Sequence, residues 1–137
     1  MSTIAKKQAE LVEEFSMFSD WTEKYEYLID LGKDLPVIDP QYKTEEYLIK
    51  GCQSQVWLRA DKVDGKVVFT ADSDAIITRG IVALLINVLS NETPQTIIND
   101  PLAFVDQIGL KEHLSPTRSN GLVSMMKQMK LYALAYQ

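Results

Sequence analysis

Apolar positions recur with a helical period at the start of the chain. Ile4, Leu11, Val12 and Phe15 stand at i, i+7, i+8 and i+11, which predicts a first helix over 3–15. Asp20 with Glu23 resembles a capping box, opening a second helix in which Trp21, Tyr25, Leu28 and Ile29 share one face. Gly32 lies near its end, Leu35-Pro36 closes it, and 36–43 reads as a loop. The period then changes from helical to alternating. Val56 to Val63 leads into Asp64-Gly65, a strong signal for a two-residue hairpin turn, and Lys66 to Ala71 returns. With that turn, Val63 faces Lys66, Ala60 faces Phe69 and Leu58 faces Ala71. Val56, Leu58, Ala60, Val67, Phe69 and Ala71 then share one wholly apolar face, so the register agrees with burial. A third strand at 46–50 is expected, because a lone hairpin is marginal in water.

The second half returns to the helical period. Ser73 reads as the N-cap and Asp74 as a favourable first-turn acid of a helix over 74–90, with Ile77, Ile81, Leu84, Leu85 and Val88 as its core stripe. Gly80 inside that helix costs about 1 kcal/mol relative to alanine and points to close packing. Thr93-Pro94, Asp100-Pro101 and Ser115-Pro116 each put a capping residue before a proline, which predicts three further helix starts. The last helix runs over 116–136, with Leu122, Met125, Met126, Met129 and Ala133 inward. The expected architecture is α+β: a small antiparallel sheet, with hairpin 55–63/66–72 and a strand at 46–50, packed against several helices in one domain, 1–137.

Composition narrows the class of function. With 46% apolar and 24% charged residues the chain is globular rather than disordered. A net charge of −5 and no basic cluster argue against nucleic-acid binding. The most apolar run, Ile81 to Leu89, is too short to span a bilayer, and the stretch MSTIAKKQAELVEE holds no apolar signal core. One cysteine cannot close an internal disulfide, so a reducing compartment, the cytoplasm, is expected. A structural zinc or iron–sulfur site is not expected either, since such sites draw mainly on cysteines and histidines and the chain offers Cys52 and His113 alone.

Cys52 is the focus of the chemistry. It follows Gly51 and precedes Gln53-Ser54-Gln55, a turn at the edge of the sheet rather than an apolar run. Lys50 nearby favours its thiolate slightly. An inert buried thiol and a reactive one both fit this position. A two-cysteine redox cycle is excluded. Base-assisted acylation, with His113 as the only imidazole, and exchange with a sulfur on another molecule both remain. His113, flanked by charged residues, is expected in a solvated loop. Arg118 stands in the first turn of the last helix, where the dipole disfavours a cation. It calls for either a compensating carboxylate or a partner or anion near the cysteine loop.

Several segments together resemble the SufE family of sulfur-acceptor proteins, the closely related CsdE type included. They are Trp21 with Lys24-Tyr25, Leu31-Gly32 with Leu35-Pro36, and Gly51-Cys52-Gln53-Ser54-Gln55-Val56-Trp57. Further on come Asp72-Ser73-Asp74, Arg79-Gly80, and Leu114-Ser115-Pro116-Thr117-Arg118-Ser119-Asn120-Gly121-Leu122. They occur in order over about 20–125. The resemblance implies a fold like that of the IscU-type scaffold. It also implies a carrier, not an enzyme, that accepts persulfide sulfur on Cys52 from a cysteine desulfurase of SufS or CsdA type and stimulates that enzyme. The sulfur then passes to an iron–sulfur scaffold or another acceptor. Gln53, Ser54, Asp74 and Arg118 are expected to support the loop or meet the partner. Pyridoxal phosphate would belong to the desulfurase, and this chain would hold no cofactor. Homodimerisation stays open. The readings from other classes are a cysteine hydrolase using Cys52 and His113, and a non-catalytic adaptor.

Overall fold

A computed structural model describes residues 2–137. Two helices come first, α1 (Thr3–Ser16) and α2 (Trp21–Lys33). Asp20 caps α2 by accepting the Glu23 N–H at 2.9 Å, while the Glu23 carboxylate turns to the Ser19 hydroxyl at 2.8 Å. Half of the expected capping box is therefore made. Two 3-10 turns, Pro40–Tyr42 and Glu45–Tyr47, lead to the hairpin of β1 (Val56–Val63) and β2 (Lys66–Ser73). Its register is the expected one, Val63 opposite Lys66 and Leu58 opposite Ala71. Asp64 and Gly65 both have positive φ, 51° and 79°, as a type I′ turn requires.

The third strand does not form. Residues 45–47 close a 3-10 turn instead, and pairing with β1 is limited to a bridge between Leu48 and Trp57 and the Ile49 N–H on the Val56 carbonyl at 2.8 Å. The hairpin is stabilised by other means. Along the outer edge of β1, the hydroxyls of Tyr132 and Tyr136 donate to the carbonyls of Leu58 and Ala60 at 2.9 and 2.8 Å. Along β2, Pro36 and Ile38 bond to Ala71, Asn91 and Glu92 bond to Val67, and the Ser90 hydroxyl takes the Phe69 N–H. Each such bond contributes about 1 kcal/mol, and together they cover edges that would otherwise pair with another chain.

Helix α3 (Ile76–Leu89) is the centre of the molecule, with ten of its fourteen residues buried. The expected stripe understates this: Val82, Ala83, Ile86 and Leu89 are also inside, because α2, α1, β2 and a later helix surround it. At Gly80 a Cβ would stand 2.2 Å from the Leu28 carbonyl oxygen, so α2 and α3 cross backbone to backbone. Ser73 is not the N-cap. It ends β2, its hydroxyl accepts the Ala75 N–H at 3.2 Å, and α3 starts without a side-chain cap.

Short helices follow: α4 (Pro94–Asn99), α5 (Phe104–Gln107) and α6 (Leu110–His113), then the long α7 (Pro116–Ala135). Thr93 and Ser115 cap α4 and α7 as expected, through the N–H groups of Thr96 and Arg118. Asp100-Pro101 does not start a helix. Leu102 adopts φ 53°, and its N–H folds back onto the Asp100 carboxylate at 2.7 Å, which delays α5 to Phe104. No helix among the described residues is long and apolar enough to cross a membrane.

Candidate functional site

The turn that carries Cys52 is shaped by its neighbours in sequence and by α7 in space. Gly51 adopts φ 94°, a region open to glycine, and a Cβ there would stand 2.5 Å from the Ser124 hydroxyl. The turn therefore lies against α7. Cys52 is half-buried, and its Sγ rests 3.7 Å from the Gly121 carbonyl, within reach of a weak S–H donor bond. At Gly121 a Cβ would approach Sγ to 3.4 Å, so this glycine lets the cysteine settle on the helix.

Burial pushes the Cys52 thiol above its ordinary pKa. The expected help from Lys50 is not what governs the thiol: Lys50 is exposed, and loss of solvent dominates. The resting group is a protonated thiol whose only hydrogen-bond partner among the described residues is a backbone carbonyl.

Beside Sγ lies a cavity of about 80 Å³. Its mouth is formed by Gln53, Ser54, Thr117 and Arg118, and its inner wall by Thr78, Ile81, Gly121 and Met125. Cys52, Gln53 and Ser54 thus meet Arg118, distant in sequence, at one opening. Arg118 is exposed and forms no ion pair among the described residues. No carboxylate among them compensates its place at the helix N-terminus. Met125 is at once a core residue and part of the wall.

Asp74 is placed otherwise than expected. It precedes α3 by two residues and lies outside its first turn, and its carboxylate accepts the Gln55 N–H at 3.1 Å. The Asp74 N–H in turn donates to the Gln55 carbonyl at 3.3 Å. These two bonds pin the end of the cysteine turn to the end of β2.

Asp72 entered the sequence reading only as part of the Asp72-Ser73-Asp74 segment, with no role of its own, yet it braces the same end of the sheet. Opposite Trp57 in the register, it is buried between Lys43 and Arg79, the latter at 3.0 Å, and accepts the Ser73 N–H at 2.8 Å. Burial alone would raise its pKa. The Lys43 contact, the Ser73 N–H and the Arg79 charge outweigh that and hold the carboxyl below the usual range. An acid at the end of a predicted strand was the available signal, but its two cations come from other elements.

His113 stands elsewhere. It lies on the short helix α6 rather than in a loop, its ring stacked on Trp21 with centroids 4.0 Å apart, and its Nδ1 is 3.0 Å from the Gly109 carbonyl. It does not line the Cys52 cavity, so the thiol has no imidazole at hand.

A solved structure from Thermus thermophilus, the solution structure of a hypothetical protein, superposes with a TM-score of 0.80 over 95% of each chain at 22% identity, which shows a shared fold. An uncharacterised SufE-like protein of Synechocystis sp. is 38% identical over 99% of this chain and 86% of its own length. SufE-like protein 1, chloroplastic/mitochondrial, of Arabidopsis thaliana is 42% identical over 93% of this chain, which spans 35% of that protein. The family model for SufE, the Fe-S metabolism associated domain, matches residues 9–133, and the chain belongs to that family.

Proposed function

We propose that this protein carries sulfur between proteins: Cys52 takes the outer sulfur of a persulfide on a pyridoxal-phosphate-dependent cysteine desulfurase and passes it on for iron–sulfur cluster assembly. The observation that carries the reading is the placement of Cys52, half-buried on a turn held by few bonds, beside an open cavity and without a neighbouring base. Family membership supports the sulfur-transfer class.

The step needs no group that this chain lacks. Docking draws the turn away from Gly121, Cys52 regains water, and its thiol loses the burial that disfavours the thiolate. The thiolate attacks the outer sulfur of the donor persulfide. A sulfur–sulfur bond forms to Cys52 while the donor's breaks, and the donor cysteine leaves as a thiolate that takes up a proton. No net oxidation occurs. Back in its cavity, the loaded cysteine is shielded from reductants until the next acceptor engages it. Gln53, Ser54 and Arg118 at the mouth present the side chains a partner would meet first, and Asp74 holds the turn's far end.

Incubation with a cysteine desulfurase and cysteine, followed by intact-mass measurement, tests this. A gain of one sulfur is expected in the wild type and none in Cys52→Ser. A gain that survives in Cys52→Ser would sink the reading. The same assay in His113→Ala should be unchanged, whereas a hydrolase built on Cys52 and His113 would lose its turnover there.

A further inference from the structure

The cavity beside Cys52 has one polar side chain in its depth. Of the residues that line it, Gln53, Thr117 and Arg118 are exposed, Ser54 is half-buried, and Ile81 and Met125 are apolar and 1% and 2% exposed. Thr78 is 6% exposed, and its hydroxyl has no hydrogen-bond partner among the described residues. Yet no fully sealed side-chain oxygen among those residues lacks a partner. The Thr78 hydroxyl is therefore not sealed, and the cavity that Thr78 lines is the space beside Sγ.

A hydroxyl that meets solvent only through such a void, and has no protein partner there, is free to donate to a group placed in it. The void exceeds several-fold the space that one water needs, so a single sulfur atom fits. The chemistry of the loaded cysteine supplies the match. In the thiol, Sγ faces the Gly121 carbonyl, an acceptor that suits S–H and repels an anion. In a persulfide the proton is lost more readily, and the negative charge sits on the outer sulfur. That atom must turn away from the carbonyl and toward a donor.

We propose that Thr78 is the binding residue for the outer sulfur: its hydroxyl donates to the persulfide anion of Cys52 and holds it in the cavity. The assignment rests on the sulfur-carrier reading and adds a residue and a function to it, retention of the sulfur between two transfers. Ile81 and Met125 close the inner wall, and Thr78 gives the charge a deep partner.

The experiment loads the protein by two routes, a desulfurase with cysteine, and inorganic polysulfide alone. With polysulfide the Cys52 thiolate attacks a terminal sulfur, and the shortened polysulfide leaves with the electron pair. The loaded protein is then chased with a small thiol, and loss of the extra sulfur is followed by intact mass. Thr78→Val, which keeps the shape and removes the donor, should lose its sulfur about tenfold faster than wild type, the lower end for a hydrogen bond to a charged group. Thr78→Ser should restore the wild-type lifetime, and Thr78→Ala should decay as Thr78→Val does. A Thr78→Val lifetime equal to wild type overturns the assignment, as does a slow Thr78→Ala beside a fast Thr78→Val, since packing would then be the cause. Loading by polysulfide alone, with a lifetime that depends on Thr78, removes the desulfurase reading and leaves this one standing. Loading by both routes with a lifetime indifferent to Thr78 does the reverse, and loading by neither overturns both.

Discussion

The crossing of α2 with α3 and the seat of the Cys52 turn on α7 are both closed by glycine, but against different kinds of surface. At the crossing, a Cβ at Gly80 would stand 2.2 Å from the Leu28 carbonyl oxygen, and a Cβ at Gly32 would stand 3.0 Å from the Gly80 nitrogen. Neither backbone can yield without moving a helix. At the turn, a Cβ at Gly51 would meet the end of the Ser124 side chain and a Cβ at Gly121 would meet the Cys52 Sγ at 3.4 Å, contacts that a rotamer change or a small loop shift can release. Close approach of backbones builds the rigid half of the molecule, and close approach to side chains builds the half that can move. The proposed carrier role needs both: a fixed core to hold the cavity wall, and a cysteine that can leave it.

Mutations can break this comparison. The largest effect is expected at Gly80→Val, which forces α2 off α3 and overpacks a buried joint. About 3 kcal/mol or more should be lost in urea unfolding, near the top of the range for such insertions. A loss under about 1 kcal/mol, the low end of that range, would mean that the crossing is as yielding as the turn.

Asp72→Asn comes next. It leaves Lys43 and Arg79 without their carboxylate, but both cations are about one-third exposed, so the cost falls below that of a fully buried pair, at about 2 kcal/mol. The pH dependence gives a second reading of the same group. The folded state holds the Asp72 carboxyl below its unfolded value of about 3.9. Its contribution is thus fully present above that value and is lost as pH falls through the lower folded one. Acid unfolding of the wild type should steepen below about pH 4, and Asp72→Asn should flatten that slope. Identical slopes would show that Asp72 is not the brace it is taken for.

The smallest effect on stability is expected at Gly51→Ala. The strained φ costs about 1 kcal/mol, and the contact with Ser124 adds a little more. Ser124→Ala in the same chain, which removes the hydroxyl without putting a glycine inside α7, should recover the contact part and leave the φ part. Because the turn carries Cys52, the rate of sulfur loading should fall more than the stability does. Equal losses in both would place the turn in the rigid half.

How much of this was legible in the residues depends on how local each cause is. The hairpin register followed from Asp64-Gly65 and strict alternation, since the turn type and the pleat together leave one solution. The caps Asp20, Thr93 and Ser115 were legible for the same reason, as each bonds within three residues. Asp100-Pro101 failed because Leu102 takes a left-handed conformation that its side chain does not announce. The strand at 46–50 failed because Tyr132 and Tyr136, far along the chain, already occupy the sheet edge that such a strand would use. Gly80 could be read as a close approach, but not which helix approached it.

At the site the division is the same. Sequence alone determined that one cysteine stands on a glycine turn with no second thiol and little to serve as a base, and that Arg118 is an odd cation at a helix start. Those are properties of residue type and near neighbours. Only the tertiary structure decided that Arg118 and Cys52 share one cavity, that Asp74 clamps Gln55, that Asp72 lies between Lys43 and Arg79, and that Thr78 reaches the space beside the sulfur. Each of those depends on α3 and α7 being packed against the hairpin, and the burial that raises the Cys52 pKa exists only once they are.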